Sequence, residues 1–335
     1  MTEGLIYAFL LDGAGSGRRL DWQEVRSWQP GQGLLWLHLD LNAATARAWI
    51  ERESGLDEIA QEAILAEETR PRAISIGEGL VVALRGVNLN PGADPGDMIA
   101  IRGWFEAGRV ISARHRRLLS VEDLVAAVEE GRGPEASGEL LAELAGRLVQ
   151  RMEHVVGQAE DSAAELEEAV LAEESRDIRT ELASLRRQSI SLRRYLAPQR
   201  EALGRLQAEK ASWMTDADRA RIREINDALV RHIESLDAVR ERTSVTQDEL
   251  ASHLSDQLNR RMYVLSIVAA VFLPLSFLTG LLGINVAGIP GAEYPKAFVI
   301  FTLGLLVLVA LLVWLFRRKR WLYPAFLTEP LNSVH

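Results

Sequence analysis

The chain has 335 residues, a formal net charge of −9 and no cysteine. That length exceeds one ordinary domain, and the missing thiols exclude disulfides, thiolate-bound zinc and cysteine nucleophiles. An acidic body attracts cations and disfavours nucleic acid as a partner.

From Gly4 to about Ile111 short strands and helices alternate. Leu5–Leu11 and Leu34–Leu41 read as strands, separated by Gly/Ser-rich and Pro/Gly punctuation. Leu5–Leu11 is too short an apolar run, without a basic lead or cleavage site, to be a secretory leader. Asn42 is the expected N-cap of a helix to about Glu53, and Asp57 begins another to about Glu67. Ala73–Ile76, Gly79–Val87, Met98–Phe105 and Val110–Ala113 have the composition of further strands, with a Pro/Gly/Asp turn over Asn90–Gly96. The pattern predicts an α/β domain over residues 1–118.

Two constellations in this domain bear chemistry. His38 and Asp40 lie on one strand face and could share an ion; a satisfied histidine beside a strand carboxylate is the simpler alternative. Glu62, Glu67 and Glu68, with Arg70 and Arg72 just beyond, have the make-up of a solvated face. There is no phosphate-binding loop, no Ser-His-Asp pattern and no H-E-x-x-H, so nothing points to an enzyme.

Residues 119–214 are dominated by helical pattern, broken at Gly131–Gly138. One helix runs from Glu139 to about Leu171. Another runs from Asp177 to about Leu196 and is expected to end near Pro198. Thr215 then caps the longest helix, with Asp218 at capping-box spacing. Ile222, Ile225, Leu229, Ile233, Leu236, Val239, Leu250, Leu254 and Leu258 recur along it at mostly three- and four-residue steps. No proline or glycine interrupts it between Asp216 and Pro274, which allows a rod ~100 Å long at 1.5 Å per residue. Residues 215–262 form its stalk. A polar-faced helix of that length needs neighbours to bury its stripe, and identical helices around an axis supply them.

Residues 263–282 and 297–316 each carry about twenty positions without a charge. That length crosses the ~30 Å hydrocarbon core as a helix, which satisfies its own backbone. Arg260 and Arg261 precede the first span; Arg317, Arg318, Lys319 and Arg320 follow the second as a basic ring in the tail 317–335. The loop 283–296 holds only Glu293 and Lys296. By the positive-inside rule both termini face the cytoplasm and the loop faces outward. From Tyr263 onward basic residues outnumber acidic ones five to two, so the acidic excess lies wholly in the cytosolic part.

Two spans cannot enclose an aqueous path alone, so a pore demands an oligomer. The first span carries Ser266, Ser276, Thr279 and Gly280 with Pro274 in its middle; the second has only Thr302 and reads as lipid-facing. Met262, Leu265, Ala269, Leu273, Ser276 and Gly280 share one helical stripe, fit for a pore lining or for plain helix packing.

Gly283-Ile284-Asn285, at the end of a long helix before a short outward loop, a final span and a basic tail, resembles the CorA superfamily of divalent-cation transporters. The hallmark there is Gly-Met-Asn, and Ile284 stands in place of the methionine. The context Phe272–Gly291, with Gly-Ile-Pro-Gly after the triplet, is similar to the zinc-transporting ZntB branch. The resemblance covers nearly the whole chain. It implies an α+β membrane protein: a cytosolic α/β domain, a helical funnel and two transmembrane helices per subunit in a homopentameric pore of the inner membrane. It also implies zinc as cargo, in the uptake direction. Magnesium or cobalt passing a channel gated by cytosolic ions is the nearest alternative, and a non-conducting metal sensor or scaffold is another. In the magnesium branch, cations between cytosolic subunits hold the pore shut; Asp248 and Glu249 stand about where such carboxylates belong, although a solvated helix face explains them too.

Neither span holds His, Cys, Asp or Glu, the groups that bind zinc directly. Stripping a divalent ion without replacement ligands has a prohibitive cost. The ion is therefore expected to cross hydrated, with no permanent cofactor. Its waters would meet the Asn285 side-chain carbonyl, main-chain carbonyls near Gly283 and the Ser276 hydroxyl. Met262, Leu265 and Leu273 would be apolar constrictions that gate by dewetting. Glu293 is either an outer-mouth carboxylate that concentrates cations or an ordinary loop residue. Hydrated Zn²⁺, Mg²⁺, Co²⁺ and Ni²⁺ are alike in size, so outer-sphere contacts alone select weakly among them.

Overall fold

The computed structural model describes residues 4–67, 70–172, 177–283, 291 and 294–318. The chain divides into two compact units, Met1–Asp248 and Glu249–His335.

The first unit is built on seven strands: β1 (Leu5–Leu11), β2 (Gly17–Arg19), β3 (Leu34–Asp40), β4 (Arg72–Ile76), β5 (Gly79–Gly86), β6 (Ile99–Glu106) and β7 (Arg109–Arg114). They form one sheet in the order β2-β1-β3-β7-β6-β5-β4. Every neighbouring pair is antiparallel except β3 and β7, which run parallel from Leu35↔Arg109 to Asp40↔Arg114. Side chains alternate between the faces, and both faces are buried. One collects Phe9, Trp36, Val82 and Ile101 under the helices α4 (Leu119–Glu129), α5 (Ser137–Leu171) and α6 (Ile178–Ala208). The other collects Leu37, Val81, Trp104 and Ile111 under α1 (Trp22–Ser27), α2 (Ala44–Arg52) and α3 (Glu58–Leu65). This two-sided burial explains why the central strands read as unbroken apolar runs instead of alternating ones.

Two details differ from the sequence expectation. Asn42 does not cap α2. The N-cap position is Ala43, which has no side chain able to accept. Asn42 Nδ2 instead donates to Asp40 Oδ1 at 2.8 Å and to the His115 carbonyl at 2.6 Å, tying the ends of β3 and β7 together. Pro198 does not end its helix either; α6 continues to Ala208 with the proline inside. Leu192, Leu196, Gln199, Ala202, Leu203 and Leu206 are buried in phase on either side of it. Packing of that stripe outweighs the ~3 kcal/mol that an interior proline costs. The sequence reading also passed over β2 and α1, both too short to show a period.

The longest element, α7 (Asp216–Gly283, 68 residues), begins in the first unit and ends in the second. The second unit also contains α8 (Ala297–Arg318, 22 residues). Both helices are long and apolar enough to cross a membrane.

Candidate ion path along the long helix

The start of α7 is fixed by a reciprocal capping box. Thr215 Oγ1 accepts from the Asp218 main-chain N–H at 3.1 Å, and Asp218 Oδ2 accepts from the Thr215 N–H at 2.8 Å. Two of the four orphan donors of a helix start are satisfied this way. Asp218 is itself buried against Gly138, where a β-carbon would come within 2.4 Å of Asp218 Oδ2. From there the apolar stripe packs inward. Ile222, Leu229, Ile233, Leu236 and Val239 are buried, followed by Thr243 and Thr246, whose hydroxyls donate to the carbonyls of Arg240 and Arg242. Arg193 holds Asp237 at 2.6 Å, and Arg242 pairs with Glu167, so α6 and α5 each clasp this part of α7. The clasp ends near Thr246, and Leu254 and Leu258 on the same helix are exposed.

The membrane-length part of α7 presents its stripe bare. Met262, Leu265 and Leu273 are 67%, 68% and 68% exposed, Ser276 and Gly280 are also exposed, and Ala269 is half-buried. An apolar side chain left open forgoes about 1.5–3 kcal/mol, so this stripe needs lipid or other copies against it. The hydroxyls differ from one another. Ser266 donates to the Met262 carbonyl at 2.9 Å, and Thr279 donates to those of Leu275 and Ser276 at 2.9 and 3.1 Å. The Ser276 hydroxyl has no partner among the described residues. Pro274 lies inside the helix two residues before it. Gly283 is the last residue of α7. Ile284, Asn285 and Glu293 lie outside the described residues, as do Lys319 and Arg320. Arg317 and Arg318 form the last turn of α8, where the Arg318 guanidinium sits 5.2 Å over the Trp314 ring. In α8 the Thr302 hydroxyl returns to the Phe298 carbonyl at 2.9 Å, and the helix is otherwise apolar over its spanning length.

Asp248 and Glu249 are both exposed on α7. His38 is fully buried, with Nδ1 2.9 Å from Ser112 Oγ. Burial, with the Arg114 charge adding to it, pushes its pKa down to about 3. Asp40 Oδ1 is turned away to Asn42, accepting from its main-chain N–H at 2.9 Å and from Nδ2. Residues His38 and Asp40 are thus engaged with separate partners. Among the described residues no three His, Asp or Glu side chains gather to hold a metal. One feature was missed: Arg102, 2% exposed and with its pKa pushed down to about 10, by burial first and then by Arg85, Arg47 and Arg72. The signal was legible as arginines inside the strand runs V-V-A-L-R-G and I-A-I-R-G-W.

A family model described as "CorA-like Mg2+ transporter protein" matches residues 31–318. The chain belongs to the CorA family. Its members are ion transporters, not enzymes, and this chain is a divalent-cation transporter of the CorA/ZntB type. It is 43% identical over 324 residues to the divalent cation transporter CmaX of Pseudomonas aeruginosa, covering 96% of this chain and 97% of that one. It is 38% identical over 321 residues to the zinc transport protein ZntB of Pectobacterium atrosepticum, covering 96% and 97%. The solved structure of full-length CmaX superposes with a TM-score of 0.85 at 42% identity, covering 96% of this chain and 99% of that one. The resemblance read from the sequence and the predicted fold class, with its soluble α/β domain, long helix and two C-terminal apolar helices, both hold for this CorA family member.

Proposed function

We propose that this protein carries Zn²⁺ into the cell across the bacterial inner membrane, with both termini cytoplasmic. In this reading it works as a homopentamer whose axis is lined by Met262, Leu265, Ala269, Leu273, Ser276 and Gly280 of each copy. The observation that carries the reading is the character of that stripe. It is largely exposed in the single chain, it has no titratable side chain, and its Ser276 hydroxyl, unlike those of Ser266 and Thr279, is not returned to its own helix. Such a surface can hydrogen-bond the water around an ion but cannot grip the ion itself.

In this reading the Gly283-Ile284-Asn285 triplet is the selectivity motif, with the Asn285 side chain of each copy supplying a neutral oxygen to the hydrated ion and Glu293 raising the local cation concentration. Met262, Leu265 and Leu273 act as dewetting constrictions. Arg317, Arg318, Lys319 and Arg320 anchor the cytosolic side. Asp248 and Glu249, exposed carboxylates on the stalk, are the regulatory cation ligands; His38 and Asp40 take no part, since each already has its own partner. The zinc assignment draws on the likeness to ZntB.

Proteoliposomes loaded with a zinc-sensitive dye test this directly. Uptake above empty vesicles is expected, with most of it lost in Asn285→Ala. Uptake no greater than in empty vesicles, or undiminished in the variant, refutes the proposal. A second reading, a magnesium or cobalt channel, draws on the description of the family model. Mg²⁺ in millimolar excess abolishes zinc uptake under that reading and leaves most of it under ours.

A further inference from the structure

Helices α5 and α6 pack on each other, yet their open sides carry opposite charges. From Glu153 to Leu171, α5 has six acidic residues and no lysine or arginine. α6 has seven arginines against two glutamates. Each helix buries one side and leaves the opposite side at least partly open. On that open side small and apolar residues recur every seven positions. Gly157, Ala164 and Leu171 form this seam on α5, and Ala183, Ile190, Ala197 and Gly204 form it on α6. A seven-residue step returns to nearly the same face of a helix, which is the spacing that lets two helices pack along a seam.

The two seams match in detail. Ile190 is 48% exposed, and Arg186, Arg187, Arg193 and Arg194 flank it three and four residues away on either side. Ala164 is flanked at the same steps by Glu160, Asp161, Glu167 and Glu168. Residues at those steps are neighbours on a helix surface. One helix thus offers a branched apolar knob framed by cations, and the other a small residue framed by carboxylates. At Gly157, one repeat before Ala164, an added β-carbon would meet nothing within 4 Å. Glu167 and Arg193 already pair within the chain, with Arg242 and Asp237 on α7. Glu160, Asp161 and Glu168 have no ion pair among the described residues, and neither do Arg186, Arg187 and Arg194. Arg186 meets Gln247 and Arg194 meets Tyr195, both neutral. Rows of one charge beside a seam repel their own kind and accept the opposite kind, which sets partner and register. Both seams are open in the single chain, so the complement of each is on another copy.

We propose that α6 of one copy docks on α5 of a second copy, with Ile190 seated over Ala164 and Arg186, Arg187 and Arg194 against Glu160, Asp161 and Glu168. The contact uses different faces of the two copies, so it propagates head to tail around a ring. It rests on the transport reading only in requiring more than one copy; it needs neither zinc, nor a pore, nor a count of five, and its failure leaves that reading standing. The chain has no cysteine, so engineered thiols report without background. Full-length Ala164→Cys and affinity-tagged Ile190→Cys chains, co-expressed in membranes and treated with a short bis-maleimide, test the contact. A crosslinked pair of one tagged and one untagged chain is expected, at least tenfold above that from tagged Arg52→Cys, on α2, with Ala164→Cys. Adding Glu160→Arg and Asp161→Arg to the Ala164→Cys chain should abolish it, and adding Arg186→Glu and Arg187→Glu to the Ile190→Cys chain should then restore it. A yield no higher than the control, or one indifferent to both reversals, overturns the proposal. Absence of the crosslink, with phenylglyoxal labelling of Arg187 suppressed in phosphatidylglycerol vesicles relative to phosphatidylcholine ones, overturns it too and assigns the basic face to lipid headgroups.

Discussion

Replacing His38 by glutamine removes one titration from the middle of the sheet and isolates its contribution to acid stability. Ser112 Oγ donates to the Leu37 carbonyl at 2.9 Å and accepts from Trp36 Nε1 at 3.0 Å. Its single proton is thus spent, so His38 must donate through Nδ1 and keep Nε2 bare; Nε2 has no partner among the described residues. Protonating that buried nitrogen is costly, which is why the folded pKa falls to about 3. The unfolded value is ~6.5. Between the two, the unfolded chain takes up a proton that the folded chain refuses. The contribution of His38 to stability is therefore fully present above pH ~6.5 and is lost as pH falls toward 3, by up to ~1.4 kcal/mol per pH unit. The loss is about 2 kcal/mol at pH 5 and about 4 kcal/mol at pH 3. Urea unfolding of the full-length protein in mild detergent, followed by tryptophan fluorescence at pH 7.5 and pH 5, measures it. The wild type should lose about 2 kcal/mol more than His38→Gln over this interval. Equal losses in the two proteins would show that the imidazole protonates in the fold, and the buried-neutral account would fail.

Ser276→Ala should lower zinc flux severalfold in vesicles while leaving folding intact, because the hydroxyl serves no bond within its own helix; Ser266→Ala, whose hydroxyl does, should leave flux near wild type. Thr215→Ala removes the cap of α7 and should lower stability by about 1 kcal/mol in denaturant titration, with Thr215→Ser recovering most of it. Pro198→Ala restores a main-chain donor inside α6 and should raise the melting temperature, by up to ~3 kcal/mol in stability terms; a lower melting temperature would mean that the proline ring itself is packed as a wedge.

The sheet and the long helices were legible because their signals are redundant. Val82, Leu84, Ile101 and Ile111 sit in β-rich runs, and Thr215 with Asp218 marks a helix start by chemistry alone. What failed had two competing solutions of similar energy. Asn42 could have capped α2, but its amide bridges Asp40 and His115, and α2 begins one residue later without a side-chain cap. Pro198 stops a helix when nothing else holds it; here the buried residues Leu203 and Leu206 beyond it carry α6 onward. Arginines inside apolar strand runs are visible in the sequence, but their crowding around Arg102 is not. Arg72, Arg85 and Arg102 are far apart in sequence, and only the strand register makes them neighbours.

The assignment of sides in the membrane turns on hydroxyls. A hydroxyl facing hydrocarbon without a partner is expensive, and helices avoid this by returning it to a carbonyl one turn back. Ser266, Thr279 and Thr302 all do so. Ser276 does not, and the proposed pore sets its face of α7 against water. That face also carries Met262, Leu265 and Leu273, whose exposure in a single chain leaves room for further copies. α8 offers no comparable group, since its one hydroxyl is already spent. Lipid can therefore surround α8 entirely, whereas α7 has one side that lipid satisfies poorly. A bundle that turns this side inward meets both demands at once, and the water it admits is what a hydrated divalent cation requires.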